Sequence, residues 1–225
     1  VKTCIMNESI TDFTAVELVS KIKTKQLSVT EVITSFLERI DKLNPLINAI
    51  SDRRSKADIL KEANEKDLYL EKGGDIGDLF GVPVLIKESF WVKGLITTNG
   101  DPMLRNHRAT EDAELVKRLK DAGAIVIGMT NVAILCMDWQ STNFWNGTTN
   151  NPYDLGRVAG GSSGGSSAAV AANFSPITLA ADAGGSVRVP AHFCGICGLR
   201  PTEDVLSNRG HLKYPNKPEG ELHVV

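Results

Sequence analysis

The chain reads as an α/β protein, a mixed and mainly parallel sheet core flanked by helices on both sides. Three observations predict this. From residue 81 onward, short apolar runs alternate with helical segments, the pattern of βαβ units that build a parallel sheet. Ahead of that region, two helix-start signatures precede amphipathic or charged stretches. The chain is 225 residues long and 42% apolar, enough to bury one sizeable core or two modest ones.

The first helix is announced by Thr14-Ala15-Val16-Glu17, and the second by Ser28-Val29-Thr30-Glu31. In each, the hydroxyl and the carboxylate three residues later satisfy N–H groups that a helical turn leaves free. After Ser28, the residues Val29, Val32, Ile33, Phe36, Leu37 and Ile40 recur with helical spacing and predict one buried face. Residues 52–75 are charge-rich and read as a helix followed by a solvated linker. The strands expected after that are 82–86, 125–127 and 177–180, with helices over 113–122 and 166–172. There is no internal repeat and no low-complexity tract.

Bulk properties exclude several classes of partner. A net charge of −2 gives no electrostatic reason to bind nucleic acid or an anionic membrane surface. No apolar run approaches the roughly 18 to 20 residues that a membrane helix needs. The start, Val1-Lys2-Thr3-Cys4, lacks both an initiator Met and the layout of a signal peptide. It reads as the start of an internal fragment, and the expected location is cytoplasmic or membrane-associated within the cell. Membrane association would come only through segments absent from this chain.

The four cysteines, Cys4, Cys136, Cys194 and Cys197, do not make a disulfide framework. Cys194-Gly195-Ile196-Cys197 has the C-x-x-C form, but no second ligand pair completes a zinc site. The cysteines are expected to be buried packing thiols in a reducing compartment. Sequons at Asn7, Asn146 and Asn173 are short enough to arise by chance. Ser20-Lys21-Ile22-Lys23 has the S-x-x-K form without its accessory motifs.

The chemistry concentrates in two glycine–serine segments. Gly160-Gly161-Ser162-Ser163-Gly164-Gly165-Ser166 precedes the expected helix at 166, and Asp182-Ala183-Gly184-Gly185-Ser186-Val187-Arg188 follows an apolar run. Glycine lets backbone N–H groups approach a small ligand closely, so each segment is suited to an amide-lined turn for an anion or a developing oxyanion. A phosphate loop would need a lysine directly after its glycines, and there is none between Arg157 and Arg188. Lys87 ends the apolar stretch Gly81-Val82-Pro83-Val84-Leu85-Ile86. A lysine led out of a buried strand is costly while charged, which favours the neutral amine. A serine nucleophile needs a positioned base. Of the histidines His107, His192, His211 and His223, His192 remains an alternative to Lys87 for that task.

These segments resemble the amidase signature family. The matching stretches are 81–88; Ala122-Gly123-Ala124-Ile125-Val126-Ile127-Gly128-Met129-Thr130-Asn131; the Gly-Ser loop; and 182–202. The connecting sequence, including Asn150-Asn151-Pro152-Tyr153-Asp154-Leu155 and 193–202, is most similar to the fatty-acid amide hydrolases of the second type. By resemblance, residues 1–225 form a single amidase domain truncated on its C-terminal side, with a helical part at 1–75 and a catalytic core at 76–225.

The resemblance implies a serine hydrolase with a Ser-Ser-Lys triad and no cofactor or metal. Ser186 would be the acylating nucleophile, Ser162 the proton shuttle after a cis Gly161–Ser162 peptide, and Lys87 the base. The N–H groups of Ala183, Gly184, Gly185 and Ser186 would form the oxyanion hole. Ser163, Asp182 and Arg188 would support the turn, the last two as a pair. Cys136 and Met137 would either touch a small-molecule amide substrate, lipid-like by the narrower resemblance, or serve core packing, which explains them equally well. A homodimer is compatible with this reading, as are two rival ones: a non-catalytic fragment and an amidotransferase subunit of the same family.

Overall fold

A computed structural model describes residues 9–212; Cys4, Asn7 and His223 lie outside them. The chain opens on α1 (Ala15–Lys23) and α2 (Val29–Ile47), and both expected capping boxes are formed at Thr14/Glu17 and Ser28/Glu31. The α2 helix ends at Asn48 in the left-handed region. The Asn44 side chain there accepts the N–H groups of Ala49 and Ile50 and turns the chain into β1 (Ile50–Arg53). Then α3 (Lys56–Glu71) follows.

The core elements come next: β2 (Pro83–Lys87), α4 (Glu114–Asp121) and β3 (Ile125–Thr130). Four short strands make two hairpin-like ribbons: β4 (Thr142–Asn143) with β5 (Gly147–Thr148), and β6 (Asn150–Asn151) with β7 (Asp154–Val158). The described chain closes with α5 (Gly164–Ala171), β8 (Ile177–Leu179) and α6 (Arg188–Phe193).

The main sheet has the order β1-β3-β2-β8. The β2 strand runs parallel to both β3 and β8, while β1 joins β3 antiparallel. The sheet is therefore mixed and mainly parallel, as the alternation of segments predicts. Strand parity then sorts the core. Leu85, Ile125 and Ile127 pack with the buried stripe of α2, with Ile59 and Ala63 of α3, and with Ala168 and Ala169 of α5. Val84, Ile86 and Val126 face the other way and pack with Leu115 and Val116 of α4. Both faces are covered, so these strands are apolar throughout rather than alternating.

Three expectations need adjustment. Residues 50–53 form a strand that overlaps the start of the charge-rich stretch, because Ile50 to Arg53 pair with the free edge of β3. The Gly-Ser helix starts at Gly164, two residues ahead of Ser166. Cys197 is exposed, unlike the buried Cys136 and Cys194, since it lies beyond the end of α6 rather than beneath it. No described helix is long and apolar enough to cross a membrane.

Candidate active site

The β2 strand delivers the lysine. Lys87 is the last residue of β2 and shares the parity of Leu85, so it leaves the sheet on the face covered by α5. Its side chain is 1% exposed, and no carboxylate forms an ion pair with it among the described residues. The amine lies 2.8 Å from the Ser162 hydroxyl and 3.2 Å from the Ala181 carbonyl. Burial pushes the Lys87 amine below the ordinary lysine range, while the Cys136 thiol and Asp182 pull it part of the way back.

Ser162 lies in the turn before α5, and its peptide with Gly161 is cis. The loop is clamped by residues with no motif of their own. The Ser141 hydroxyl donates to the Ser162 carbonyl at 3.0 Å and accepts the Gly164 N–H at 2.7 Å. The Ser166 hydroxyl pairs with that of Thr130 at 2.7 Å. At Gly165, a Cβ would fall 2.4 Å from the Asn131 nitrogen and 2.5 Å from its carbonyl oxygen. This glycine serves the close approach of one backbone segment to another, which departs from the expected approach to a ligand.

The second segment fits the ligand-facing reading better. Gly184 has no atom within 4 Å of where a Cβ would stand. The turn is organised around Asp182, whose buried carboxylate accepts the N–H groups of Gly185, Val187 and Arg188 at 2.7, 3.0 and 3.1 Å. The Arg188 guanidinium adds a two-pronged contact at 3.0 and 2.9 Å, and Arg200 donates to the Asp182 carbonyl at 2.8 Å. Burial alone would raise the Asp182 carboxyl. The Arg188 contact and the three N–H donors outweigh it and hold the group well below the usual carboxylate range.

Two features differ from the expected constellation. The Gly185 N–H is committed to Asp182, so it is not free to meet an oxyanion. The N–H groups of Ala183, Gly184 and Ser186 have no partner among the described residues. Ser186 itself is 8% exposed, and its hydroxyl makes no hydrogen bond to a described residue. The two serine segments are tied instead through the backbone, Ser163 N–H to Ser186 C=O at 3.1 Å. Ser163 also donates its hydroxyl to the Ala181 carbonyl at 3.2 Å.

Of the remaining candidates, Cys136 is 8% exposed and donates to Asn99 Oδ1 at 2.8 Å, whereas Met137 is 74% exposed. His192 is exposed on α6. His211, which the sequence did not single out, is buried, and burial together with the nearby Lys87 pushes its imidazole down to about 3. It is therefore neutral over the physiological range. No described cluster of three or more His, Cys, Asp or Glu is placed to hold a metal ion. A cleft of about 320 Å³ runs along β8 past Asp182, lined by Ser166, Thr178, Val187, Leu199 and Arg200.

A buried lysine amine hydrogen-bonded to one serine, next to a turn that offers a second serine and free N–H donors, has the parts that acyl transfer needs. The chain belongs to the amidase family, whose sequence model matches residues 31–220. It is 41% identical over 204 residues to a glutamyl-tRNA(Gln) amidotransferase subunit of Fusobacterium nucleatum, covering 90% of this chain and 42% of that protein. It is also 41% identical over 209 residues to fatty-acid amide hydrolase 2-A of Danio rerio, covering 89% of this chain and 38% of that protein. A solved fatty acid amide hydrolase structure superposes with a TM-score of 0.85 at 33% identity, covering 90% of this chain and 36% of the other. The chain thus spans about two fifths of the length of the curated relatives it matches.

Proposed function

We propose that this chain carries the catalytic residues of a serine hydrolase that cleaves amide bonds through an acyl-enzyme. Ser186 Oγ attacks the amide carbonyl while its proton passes by way of Ser162 to the neutral Lys87 amine. The tetrahedral oxyanion is met by the N–H groups of Ala183, Gly184 and Ser186, and each such donor is worth on the order of 3 kcal/mol at the transition state. Return of the proton through Ser162 releases the amine, and water then hydrolyses the ester on Ser186. The observation that carries this reading is the 2.8 Å hydrogen bond between Lys87 and Ser162 in a site with no competing carboxylate contact.

In this scheme Ser163, Asp182, Arg188 and the Gly185 N–H hold the turn. The substrate is a fatty-acid amide, in keeping with the likeness to fatty-acid amide hydrolase 2-A, with Cys136 and Met137 on the acyl side. The protein acts inside the cell, on a small molecule, in a form compatible with a homodimer. The single-domain reading of 1–225, with its helical part at 1–75 and core at 76–225, belongs to the same proposal. A second reading, that of an amidotransferase component, is favoured by the equal identity to the glutamyl-tRNA(Gln) amidotransferase protein of Fusobacterium nucleatum.

A fluorophosphonate probe tests the site. Soluble wild-type protein should be labelled covalently, and Ser186→Ala should abolish the label. Equal labelling of the two would exclude Ser186 as nucleophile, and no labelling of either would favour a non-catalytic fragment. Hydrolysis of a fatty amide without glutamine or transfer RNA separates the hydrolase from the amidotransferase component.

A further inference from the structure

The helix that follows Ser162 is capped differently from those that open the chain. The helices α1, α2 and α3 are each capped by the hydroxyl of the residue just before them, Thr14, Ser28 and Ser55, which satisfies an N–H group that a first turn leaves free. The residue before α5 is Ser163, a type suited to the same task, yet its side chain makes no cap. The Ser163 hydroxyl donates instead to the Ala181 carbonyl at 3.2 Å, the oxygen that also accepts from the Lys87 amine at 3.2 Å.

The cap of α5 comes from far along the chain. The Gly164 N–H, the first of the helix, is taken by the Ser141 hydroxyl at 2.7 Å, and the Gly165 N–H by the Asn131 carbonyl at 3.2 Å. Ser141 uses its hydroxyl in both directions: the oxygen accepts from Gly164, while the hydrogen goes to the Ser162 carbonyl at 3.0 Å. Its backbone N–H adds a bond to the Gly160 carbonyl at 3.2 Å, so one residue holds the loop at positions 160, 162 and 164. Ser141 is itself fixed. It is buried, and its carbonyl accepts the Thr149 N–H at 2.9 Å and the Asn131 side-chain amide at 3.4 Å. The fit is close, since a Cβ at Gly164 would fall 2.6 Å from the Ser141 hydroxyl oxygen.

We propose that Ser141 is a positioning residue for the proton shuttle: by bridging the Ser162 carbonyl and the first N–H of α5, it holds the Ser162 hydroxyl on the Lys87 amine. This deepens the triad reading and rests on it. The Ser162 carbonyl and the Gly164 N–H belong to the peptide planes on either side of Ser163. A hydroxyl that bridges them fixes the backbone from which the Ser162 side chain departs toward Lys87, 2.8 Å away. Without the bridge, two backbone groups lose their partner in a buried loop, and the loop is driven to another arrangement that satisfies them. The hydrogen bonds from Ser141 to the loop all go to backbone atoms, so its effect on the reaction passes through the placement of Ser162.

The test is a double-mutant cycle read by the maximal rate of fluorophosphonate labelling. Ser141→Ala in the otherwise wild-type protein should slow labelling by about tenfold at an unchanged half-saturating probe concentration. Ser162→Ala is itself slowed and has no shuttle hydroxyl left to place, so adding Ser141→Ala to it should change the rate by less than about twofold. A general loosening of the site would slow both backgrounds alike. Ser141→Cys keeps the side-chain shape with only a weak donor and a weak acceptor, and it repeats the comparison if the alanine variant folds poorly. Equal losses in the two backgrounds, or no loss in either, overturn the proposal, while a slowed Ser162→Ala single variant still upholds the triad. A Ser162→Ala protein that labels at the wild-type rate rejects the relay itself, and this role for Ser141 with it.

Discussion

Replacing Lys87 with alanine is expected to lower the rate of Ser186 acylation by about a thousandfold or more, with little change in substrate affinity. A positioned general base contributes roughly 10²–10⁴, and in the proposed relay Lys87 is the group that finally takes the Ser186 proton. The Lys87 side chain is buried and hydrogen-bonded to Ser162 and to the Ala181 carbonyl, so its loss should reduce the rate rather than binding. The sign of the pH effect follows from the buried amine. Its folded ionisation lies below the ordinary lysine value, so the wild-type rate should rise with pH through that lowered midpoint and level off above it. Lys87→Ala should lack this limb. Initial rates of probe labelling across pH measure both quantities. A near-normal rate in the variant would pass the role to another base, of which His192 is the one the sequence offers.

The second large effect is expected at Asp182. Asp182→Ala removes the acceptor for the N–H groups of Gly185, Val187 and Arg188 in a buried position. Leaving such donors unsatisfied should cost about 3 kcal/mol. The Arg188 side chain is more than half exposed and regains water, so little of the loss comes from that ion pair. Because the folded carboxyl lies below its unfolded value of about 3.9, its contribution is complete above that value. It is lost as pH falls through the unfolded value toward the folded one. Chemical denaturation at pH 7 should show the variant clearly weakened, and the difference from wild type should shrink on acidification below about pH 4. A constant difference down to pH 2 would mean that the carboxylate charge is not what holds the turn.

Much of this architecture was legible because it rests on local signals. The capping hydroxyls of Thr14 and Ser28, the stripe on α2, and the apolar runs of β2 and β3 each report a choice made within a few residues. The lysine was legible for a similar reason, since a charge at the end of a fully apolar strand has few stable explanations. What was not legible depends on residues far apart in the chain. The strand at Ile50–Arg53 carries no alternation and exists because β3 offers it an edge. Ser141 and Thr130 shape the Ser162 loop through contacts spanning 21 and 36 residues, and nothing near them in the sequence marks the role.

The glycines divide along the same line. Their number pointed to close approaches, but only the packed chain shows that Gly165 meets Asn131 while Gly184 meets open space. The engagement of the Gly185 N–H was within reach of the sequence. An aspartate three residues ahead of a glycine is a recognised pattern for a side chain that accepts a nearby backbone N–H, and here it takes one donor away from the expected oxyanion hole.

The link that the account depends on most is the one from Ser186 to Ser162, since no hydrogen bond joins the two hydroxyls in the structure. A crystal structure of the fluorophosphonate adduct of the soluble protein addresses it directly. The account predicts phosphorus on Ser186 Oγ, its oxygen turned toward the N–H groups of Ala183, Gly184 and Ser186, and the Ser162 hydroxyl within hydrogen-bond distance of both Ser186 Oγ and the Lys87 amine. Phosphorus on any other residue, or a Ser162 hydroxyl directed away from Ser186 in the adduct, would contradict it.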